Sequence, residues 1–529
     1  LLKQKTTIMT GGFEMWDYIV FIAYAILILG VGLWVSRDKK GHQKNAEDYF
    51  LASKSLPWWA IGTSLIAANI SAEQFIGMSG SGFALGIAIA SYEWMAALTL
   101  LIVGKYFLPI FIEKGLYTIP EFVEKRFSTN LKTILAVFWL GLYIFVNLAS
   151  VLYLGGLAIE TIMGVDMMYA IIGLALFAAA YSLYGGLSAV AWTDVIQVVF
   201  LVLGGLVTTY LALNTVSGGE GVLAGFSKVW EAAPEKFHMI LEESNDNYIN
   251  LPGIWVLVGG LWVANLYYWG FNQYIIQRAL AAKSLKEAQK GILFAAGLKV
   301  ILPIIVVLPG IALFVLNSNL ESPDQAYPTA MTLLPAGLKG LAFAALLAAI
   351  VSSLASMVNS VSTLFVVDIY PSLKRAAKPE QAVGLGRAVS VIAMVIAMLS
   401  AQPLLGKFEQ AFQFIQEFTG FFTPGIVVIF VLGIFWRKTN ATGALIAAVS
   451  SVVLSLLFKV FLPELPFIDR VGAVFVLSGL LAIVASALEG KDQHNAIVLG
   501  EMNFVTSRSF NVAAIGITLI IASFYVIWW

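Results

Sequence analysis

The chain is built from long apolar runs, each about the length needed to cross a bilayer. They fall near 16–36, 58–83, 87–112, 131–156, 167–184, 194–214, 252–277, 290–316, 339–369, 385–402, 410–436, 441–462, 470–488 and 510–529. This reading predicts an all-α polytopic membrane protein of about 14 transmembrane helices. Composition agrees: 60% of the 529 residues are hydrophobic and 12% are charged, about half the charged share of an ordinary soluble domain. The formal net charge of zero offers no bulk basicity for nucleic acid. The absence of cysteine removes disulfides, thiolate metal sites and cysteine nucleophiles together. The three histidines (His42, His238 and His494) are far apart in sequence, which argues against a histidine metal site. Leu1 to Met15 lacks the pattern of a cleaved leader, because the apolar run that follows is long enough to span.

Two of the runs are interrupted by polar residues where the bilayer centre should be. The first carries Asn69-Ile70-Ser71-Ala72-Glu73-Gln74, followed by Gly77, Gly80 and Gly82. The second carries Asn265-Leu266-Tyr267-Tyr268-Trp269-Gly270. Non-helical backbone at membrane depth is tolerated only where it is buried in protein or lines a wet cavity. The two interruptions lie five helices apart, and an odd separation gives the two copies opposite orientations. Matched broken segments in two halves are the sequence sign of an inverted-repeat transporter. The halves read as 57–214 and 252–436. Outside them lie an extra N-terminal helix and cytoplasmic loop (1–56), an extracellular loop (215–251) and three C-terminal helices (437–529).

Cations set the orientation. Alternate loops hold Arg37, Lys39, Lys40, Lys44, Lys54, Lys114, Lys125, Arg126, Arg278, Lys283, Lys286, Lys290, Lys374, Arg375, Lys378, Arg437, Lys438, Lys491 and Arg508. The opposite loops show only scattered cations such as Lys228, Lys236, Lys339, Lys407 and Arg470. The rich side is expected to be cytoplasmic, both termini extracytoplasmic, and the acidic loop near Glu242-Glu243 a surface excursion. A plasma membrane, and a bacterial inner one, suits this pattern.

Four constellations could carry chemistry. Glu93 and Lys299 are ionisable residues inside spans, and each needs a partner or a cavity. Asn69, Gln74, Asn147, Asn265, Tyr268, Trp269 and Gln416 supply amides and aromatic faces. These suit a polyhydroxylated ring, although amides also glue helices together. Ala348 to Ser356 places Ser352, Ser353 and Ser356 among small residues. That allows close helix packing, or an oxygen shell for a hard cation. Asp194 is placed at the cytoplasmic start of a helix, either as a cap or as a carboxylate at a cavity mouth. No G-x-x-x-x-G-K-[ST] string occurs, so a nucleotide-driven pump is not expected. No catalytic set is recognisable, so an enzyme is not expected either.

Longer strings carry a resemblance. Asp48-Tyr49-Phe50-Leu51-Ala52, Leu56-Pro57-Trp58-Trp59, Asn69 to Gln74, Tyr117-Thr118-Ile119-Pro120-Glu121-Phe122, Gly185-Gly186 leading to Trp192-Thr193-Asp194, and Asn272-Gln273 with Gln277-Arg278 together resemble the sodium/solute symporter family over nearly the whole chain. Gln413 to Gly425 and the position of Lys299 look most like its bacterial sodium/galactose members. The resemblance implies a leucine-transporter-like core of two inverted five-helix repeats with broken first helices. It implies sodium as the coupling ion and no other cofactor, and it does not imply an obligate protein partner. Sodium would be held by the carbonyls of Ala67, Ile70 and Ala349 and the hydroxyls of Ser352 and Ser353, with Asp194 on its exit path. A neutral sugar, galactose-like or glucose-like, would meet Gln74, Glu93, Asn265, Lys299 and Gln416. Tyr268 would form the inner gate, its hydroxyl held by Asn147 and with Trp269 beside it. Met78, Tyr92 and Phe412 would form the outer gate. Ala96 departs from the pattern, since a serine is expected three residues after Glu93. The competing expectations are a symporter for another small solute such as proline, and more distantly a channel or a membrane sensor.

Overall fold

The computed structural model describes residues 12–35, 54–116, 118–317, 319–373, 379–406, 410–489, 493 and 495–529, with side chains described for all of these except 29, 32, 33, 35, 180–190 and 379–381. The motif residues from Asp48 to Ala52, Tyr117, His42, His494 and the cations at 37–44, 374–378, 407 and 491 lie outside the described residues.

Among the described residues the regular secondary structure is helical, apart from one isolated bridge between Leu56 and Ala282. The principal helices are α1 (Met15–Val35), α2 (Trp58–Asn69), α3 (Ser79–Leu85), α4 (Ser91–Ile102), α5 (Thr129–Leu142), α6 (Ala149–Met163), α7 (Met167–Ser217) and α8 (Val222–Ala232). They continue with α9 (Gly260–Leu266), α10 (Gln273–Leu280), α11 (Leu285–Leu316), α12 (Leu338–Thr363), α13 (Pro379–Leu405), α14 (Ala411–Gly420), α15 (Thr423–Phe435), α16 (Ala441–Phe461), α17 (Phe467–Glu489) and α18 (Arg508–Ile527). By length and composition, nine helices among the described residues can cross a membrane, or ten if α14 and α15, bent by 48°, form one span.

Fourteen is not reached on that criterion for local reasons. The span expected at 58–83 is split between α2 and α3. The one expected at 252–277 is divided into short pieces at Gly259 and Asn272. The spans expected at 167–184 and 194–214 fall in one helical run, α7, whose 51 residues amount to roughly 75 Å of helix, enough for two crossings of a ~30 Å core.

The break in the first polar span has a clear chemical cause. Helix α2 ends as Ile70 leaves helical geometry (φ −73°, ψ 85°), its N–H closing back on the Ile66 carbonyl at 2.6 Å. Gln74 Oε1 then accepts from the Ser71 N–H at 3.3 Å, and Ser71 Oγ accepts from the Glu73 N–H at 3.4 Å. These side chains replace hydrogen bonds that the helix can no longer supply, which is the condition for opening backbone inside a bilayer. A wide π turn, Glu73–Met78, carries the chain on into α3.

Helix α11 lies along both halves of the break. A Cβ on Gly62 would stand 2.7 Å from the Gly291 carbonyl, and one on Gly310 would stand 2.1 Å from the Ser79 carbonyl. Glycine at both crossings lets the backbones touch, the small-residue packing of membrane helices. Lys299, between the two contacts, is thereby set opposite the break. Helix α1 joins the bundle through Asp17, whose Oδ1 accepts from the N–H groups of Gly337 and Gly340 at 2.8 Å each. A fully buried carboxylate thus satisfies the N-terminal end of α12, with Lys339 Nζ 4.0 Å away.

The segment expected as an external excursion folds down onto the bundle instead. Helix α8 forms within it, and Lys236 Nζ donates to the Ala84 carbonyl at 2.6 Å while lying 4.1 Å from the Phe314 ring centroid. A cation at the last turn of α3 is where the helix dipole favours one. Burial pushes the Lys236 ammonium below its ordinary pKa.

Candidate functional site

The two broken spans meet at a cavity of about 60 Å³. Gln74, Glu93, Asn265, Lys299, Gln416, Tyr268, Trp269, Met78, Tyr92 and Phe412, all expected at a site, line it together with Asn69, Glu73 and Ala96. Its charged centre is a buried triad. Lys299 Nζ donates to Glu93 Oε2 at 2.5 Å and to Asn69 Oδ1, and lies 5.0 Å from the Trp269 ring centroid. Lys299 is fully buried and Glu93 is 2% exposed, so each charge depends on the other. Asn265 turns its amide N–H back to the Leu261 carbonyl at 3.1 Å.

At one end of the cavity lining Tyr92 and Phe412 pack edge to face with centroids 5.1 Å apart. Gly77 leaves room for Phe412, whose Cβ would lie 3.1 Å from a Cβ there. Above them Ser81 Oγ donates to Gln410 Oε1 at 3.2 Å, and Asp324 Oδ2 accepts from the Ala411 N–H at 2.9 Å. Asp324, outside the spans, is wedged against Gly80. Burial raises its carboxyl to about 7, opposed by the Ala411 hydrogen bond.

Elsewhere in the lining Tyr268 packs edge-on to Trp269 at 5.1 Å. Its hydroxyl is held differently from the expectation. Asn69 Nδ2 donates to it at 3.1 Å and Tyr274 Oη at 2.8 Å, whereas Asn147 Oδ1 is buried with no partner. The end of α2 carries Asn69 to the tyrosine, so an amide two residues from the first carbonyl of the expected sodium set takes the place assigned to Asn147.

The expected sodium residues also converge. Ser353 Oγ donates to the carbonyls of Ala67 and Ala68 at 3.4 Å each, bringing α12 against the last turn of α2. Ile70 ends that turn, and Ala349 is fully buried one turn before Ser353. Carbonyls freed at a helix end beside two hydroxyls form a neutral oxygen set of the kind hard cations take.

Asp194 belongs to this layer. It lies inside α7, not at a helix start, and is fully buried. It accepts from Ser352 Oγ and, at 2.6 Å, from Ser64 Oγ. Arg278 Nη2 lies 4.0 Å away and donates to Ser356 Oγ at 2.6 Å, while Nε donates to Ser64 Oγ at 2.9 Å. Arg278 was counted among the cytoplasmic cations, but the fold buries it as the counter-ion of Asp194. Its place beside Gln277 at the end of an interrupted span was the available signal. Among the described residues no group of three or more His, Cys, Asp or Glu side chains is arranged to hold a metal ion.

Interrupted helices around a cavity lined by polar and aromatic side chains are the pattern of a membrane transporter. A family model, the sodium:solute symporter family, matches residues 49–450. The chain is 59% identical over 540 residues to a sodium/glucose cotransporter of Vibrio parahaemolyticus, covering 98% of this chain and 99% of that one. It is 33% identical over 482 residues to sodium/myo-inositol cotransporter 2 of Homo sapiens, covering 84% and 70%. The substrate-bound, outward-open structure of a Na+-coupled sialic acid symporter is similar with a TM-score of 0.79 at 25% identity, over 91% of this chain and 99% of that one. A closed nucleobase-cation-symport-1 family transporter, at a TM-score of 0.52, 14% identity and 89% and 99% coverage, shares the fold alone. This chain belongs to the sodium:solute symporter family: it is a sodium-coupled transporter and not an enzyme.

Proposed function

We propose that the chain carries a neutral hexose, glucose-like or galactose-like, into the cell together with sodium, by alternating access. The observation that carries this reading is the cavity lining: amide, carboxylate, ammonium and aromatic groups with Lys299 already balanced by Glu93. A substrate carboxylate would need an uncommitted cation or an open helix end, so the paired lysine disfavours an amino acid such as proline. The relative named for sodium and glucose supports the same substrate class.

Coupling runs through the last turn of α2 and the Ile70 that ends it. Sodium seated on Ala67, Ile70, Ala349, Ser352 and Ser353 holds the end of α2 against α12. Asn69, inside that turn, touches both Lys299 and Tyr268. A cavity of about 60 Å³ takes roughly two waters, so a sugar enters only as the walls part and its hydroxyls share the Lys299, Glu93 and Asn69 contacts. Closure of Met78, Tyr92 and Phe412 above, then rotation of Tyr268 and loss of sodium past Asp194, completes inward release. The core is read as the inverted repeats 57–214 and 252–436, in a bacterial inner membrane with both termini extracytoplasmic. Uptake into proteoliposomes from a panel of hexoses, inositols and amino acids, with sodium or potassium outside, tests the proposal. Preference for an amino acid, or indifference to sodium, would reject it.

A further inference from the structure

A groove of about 600 Å³ runs between α4 and α18, outside the transport site. Its walls are two helix faces. Leu98, Leu101, Ile102 and Lys105 follow one another at helical spacing on one side, and Asn511, Ala514, Ile515, Thr518 and Leu519 on the other. The two helices run antiparallel. Tyr525 Oη donates to Ser91 Oγ at 3.0 Å at one end, and a Cβ on Gly104 would stand 3.6 Å from Phe510 at the other. Ile515 and Leu519 are 61% and 65% exposed, so the groove faces the lipid. Among the described residues Lys105 is the one charged side chain on the lining. It lies in the π turn Val103–Phe107, inside the apolar run read at 87–112. Its ammonium is 5.3 Å from the Tyr106 ring centroid and makes no ion pair among the described residues. Asn511 faces it from α18 at the same end of the groove. Asn511 Oδ1 accepts from Thr506 Oγ1 at 2.5 Å, which leaves its Nδ2 hydrogens as free donors.

We infer that this groove binds an anionic phospholipid, with an acyl chain lying between α4 and α18 and the phosphate at Lys105 and Asn511. Depth supports the assignment. Glu93 lies at the transport cavity, which in such folds is near the bilayer midplane. Lys105 follows it by roughly 18 Å of helix, just beyond half of a ~30 Å hydrocarbon core. The ammonium therefore reaches the headgroup layer while the wall from Leu98 to Ile102 stays in hydrocarbon. From Asn511 to Leu519 the facing wall is roughly 12 Å long, within one leaflet. Charge selects the headgroup: an unpaired cation at this level wants a partner of opposite sign. A zwitterionic lipid brings its own cation and satisfies it less well. Free phosphate makes no use of the apolar wall. On the other flank of α18 a groove of about 630 Å³ carries Lys290 with Ala513 and Ile517. There Glu287 Oε1 already lies 3.5 Å from Lys290 Nζ, so the same headgroup has less to gain.

The test uses the full chain in proteoliposomes and a phosphatidylglycerol bearing a diazirine on one acyl chain, with adducts located by mass spectrometry. Adducts are expected on the peptides containing residues 98–106 and 511–519. Unlabelled phosphatidylglycerol should displace them at about one-fifth the concentration of phosphatidylcholine with the same chains, the worth of one cation at the headgroup layer. Inorganic phosphate should not displace them. Lys105→Gln should remove the fivefold preference, Lys105→Arg should keep it, and Lys290→Gln should leave it unchanged. Ala514→Phe should abolish the adducts by filling the groove. If that variant is not monodisperse, the contrast between Lys105→Gln and Lys105→Arg carries the test alone. Labelling spread evenly over lipid-facing helices, equal displacement by the two lipids, displacement by phosphate, or a preference that survives Lys105→Gln would overturn the site.

Discussion

Lys299→Met examines the buried charge pair that the cavity depends on. With Nζ 2.5 Å from Glu93 Oε2, the Coulomb attraction at an effective dielectric near 20 is on the order of 6 kcal/mol. Desolvating both groups consumes most of that gain, so the pair as a whole adds little net stability. Removing one member is different, since it leaves the other charged and unpaired, at about 3–5 kcal/mol. Lys299→Met is therefore expected to destabilise the protein by about that amount, and Glu93→Gln by a comparable one, whereas the double variant should recover to within roughly 1–2 kcal/mol of wild type. Hexose transport should not recover, because the sugar loses two charged partners, each hydrogen bond to a charged group being worth about 1.5–3 kcal/mol. Equilibrium unfolding in mixed micelles gives the stability cycle and counterflow gives the sugar affinity. A single variant as stable as wild type, or a double variant as unstable as the sum of the singles, would refute the reasoning.

Four further outcomes are expected. Ser353→Ala should raise the half-saturating sodium concentration about tenfold while leaving sugar affinity at saturating sodium near wild type, read by uptake titrations. Tyr268→Phe deletes the oxygen that receives Asn69 and Tyr274, and should speed sugar efflux measured after dilution of loaded vesicles. Asp324 has its pKa raised from 3.8 to about 7 in the closed arrangement. The closed form therefore binds the proton more tightly, and its stabilisation is full below about pH 4 and lost as pH rises through about 7. Hydrogen exchange at residues 410–412, corrected for intrinsic rate, should be slower at pH 6 than at pH 8, and Asp324→Asn should flatten that dependence. Asp17→Ala should weaken sodium affinity by loosening the start of α12, with Asp17→Asn recovering part of it because an amide oxygen still accepts from Gly337 and Gly340.

The sequence carried the class of fold and most of the cavity lining, because polar residues in apolar runs are conspicuous. Asn69, Gln74, Glu93, Lys299 and Gln416 stand out against their neighbours, and the fold brings them together. What could not be read was pairing across the bundle. Nothing local distinguishes Asn147 from Asn69 as the partner of Tyr268; the choice is made by where α2 ends. Arg278 lies near a cation-rich loop and reads as a topogenic charge until α10 is seen to carry it beneath Ser64 and Ser356. Glu73 is equally visible in sequence, yet only the π turn shows that it lines the cavity, with Oε1 unpaired. Asp17 and Lys339 look like charges at two helix ends, and their meeting depends on α1 packing against α12. Each miss is a long-range contact, and hydropathy reports only local preference.

The central claim is that sodium drives a neutral hexose through the cavity between the two broken spans. The most direct measurement is accumulation of radiolabelled galactose and glucose in proteoliposomes under an inward sodium gradient with a negative interior. One sodium charge moving through 100 mV is worth about 2.3 kcal/mol, or roughly a fiftyfold gradient of an uncharged sugar. One or both sugars should accumulate above equilibrium, with the accumulation collapsed by a sodium ionophore and absent when potassium replaces sodium. Sugar entry that only equilibrates, at the same rate with either cation, would contradict it.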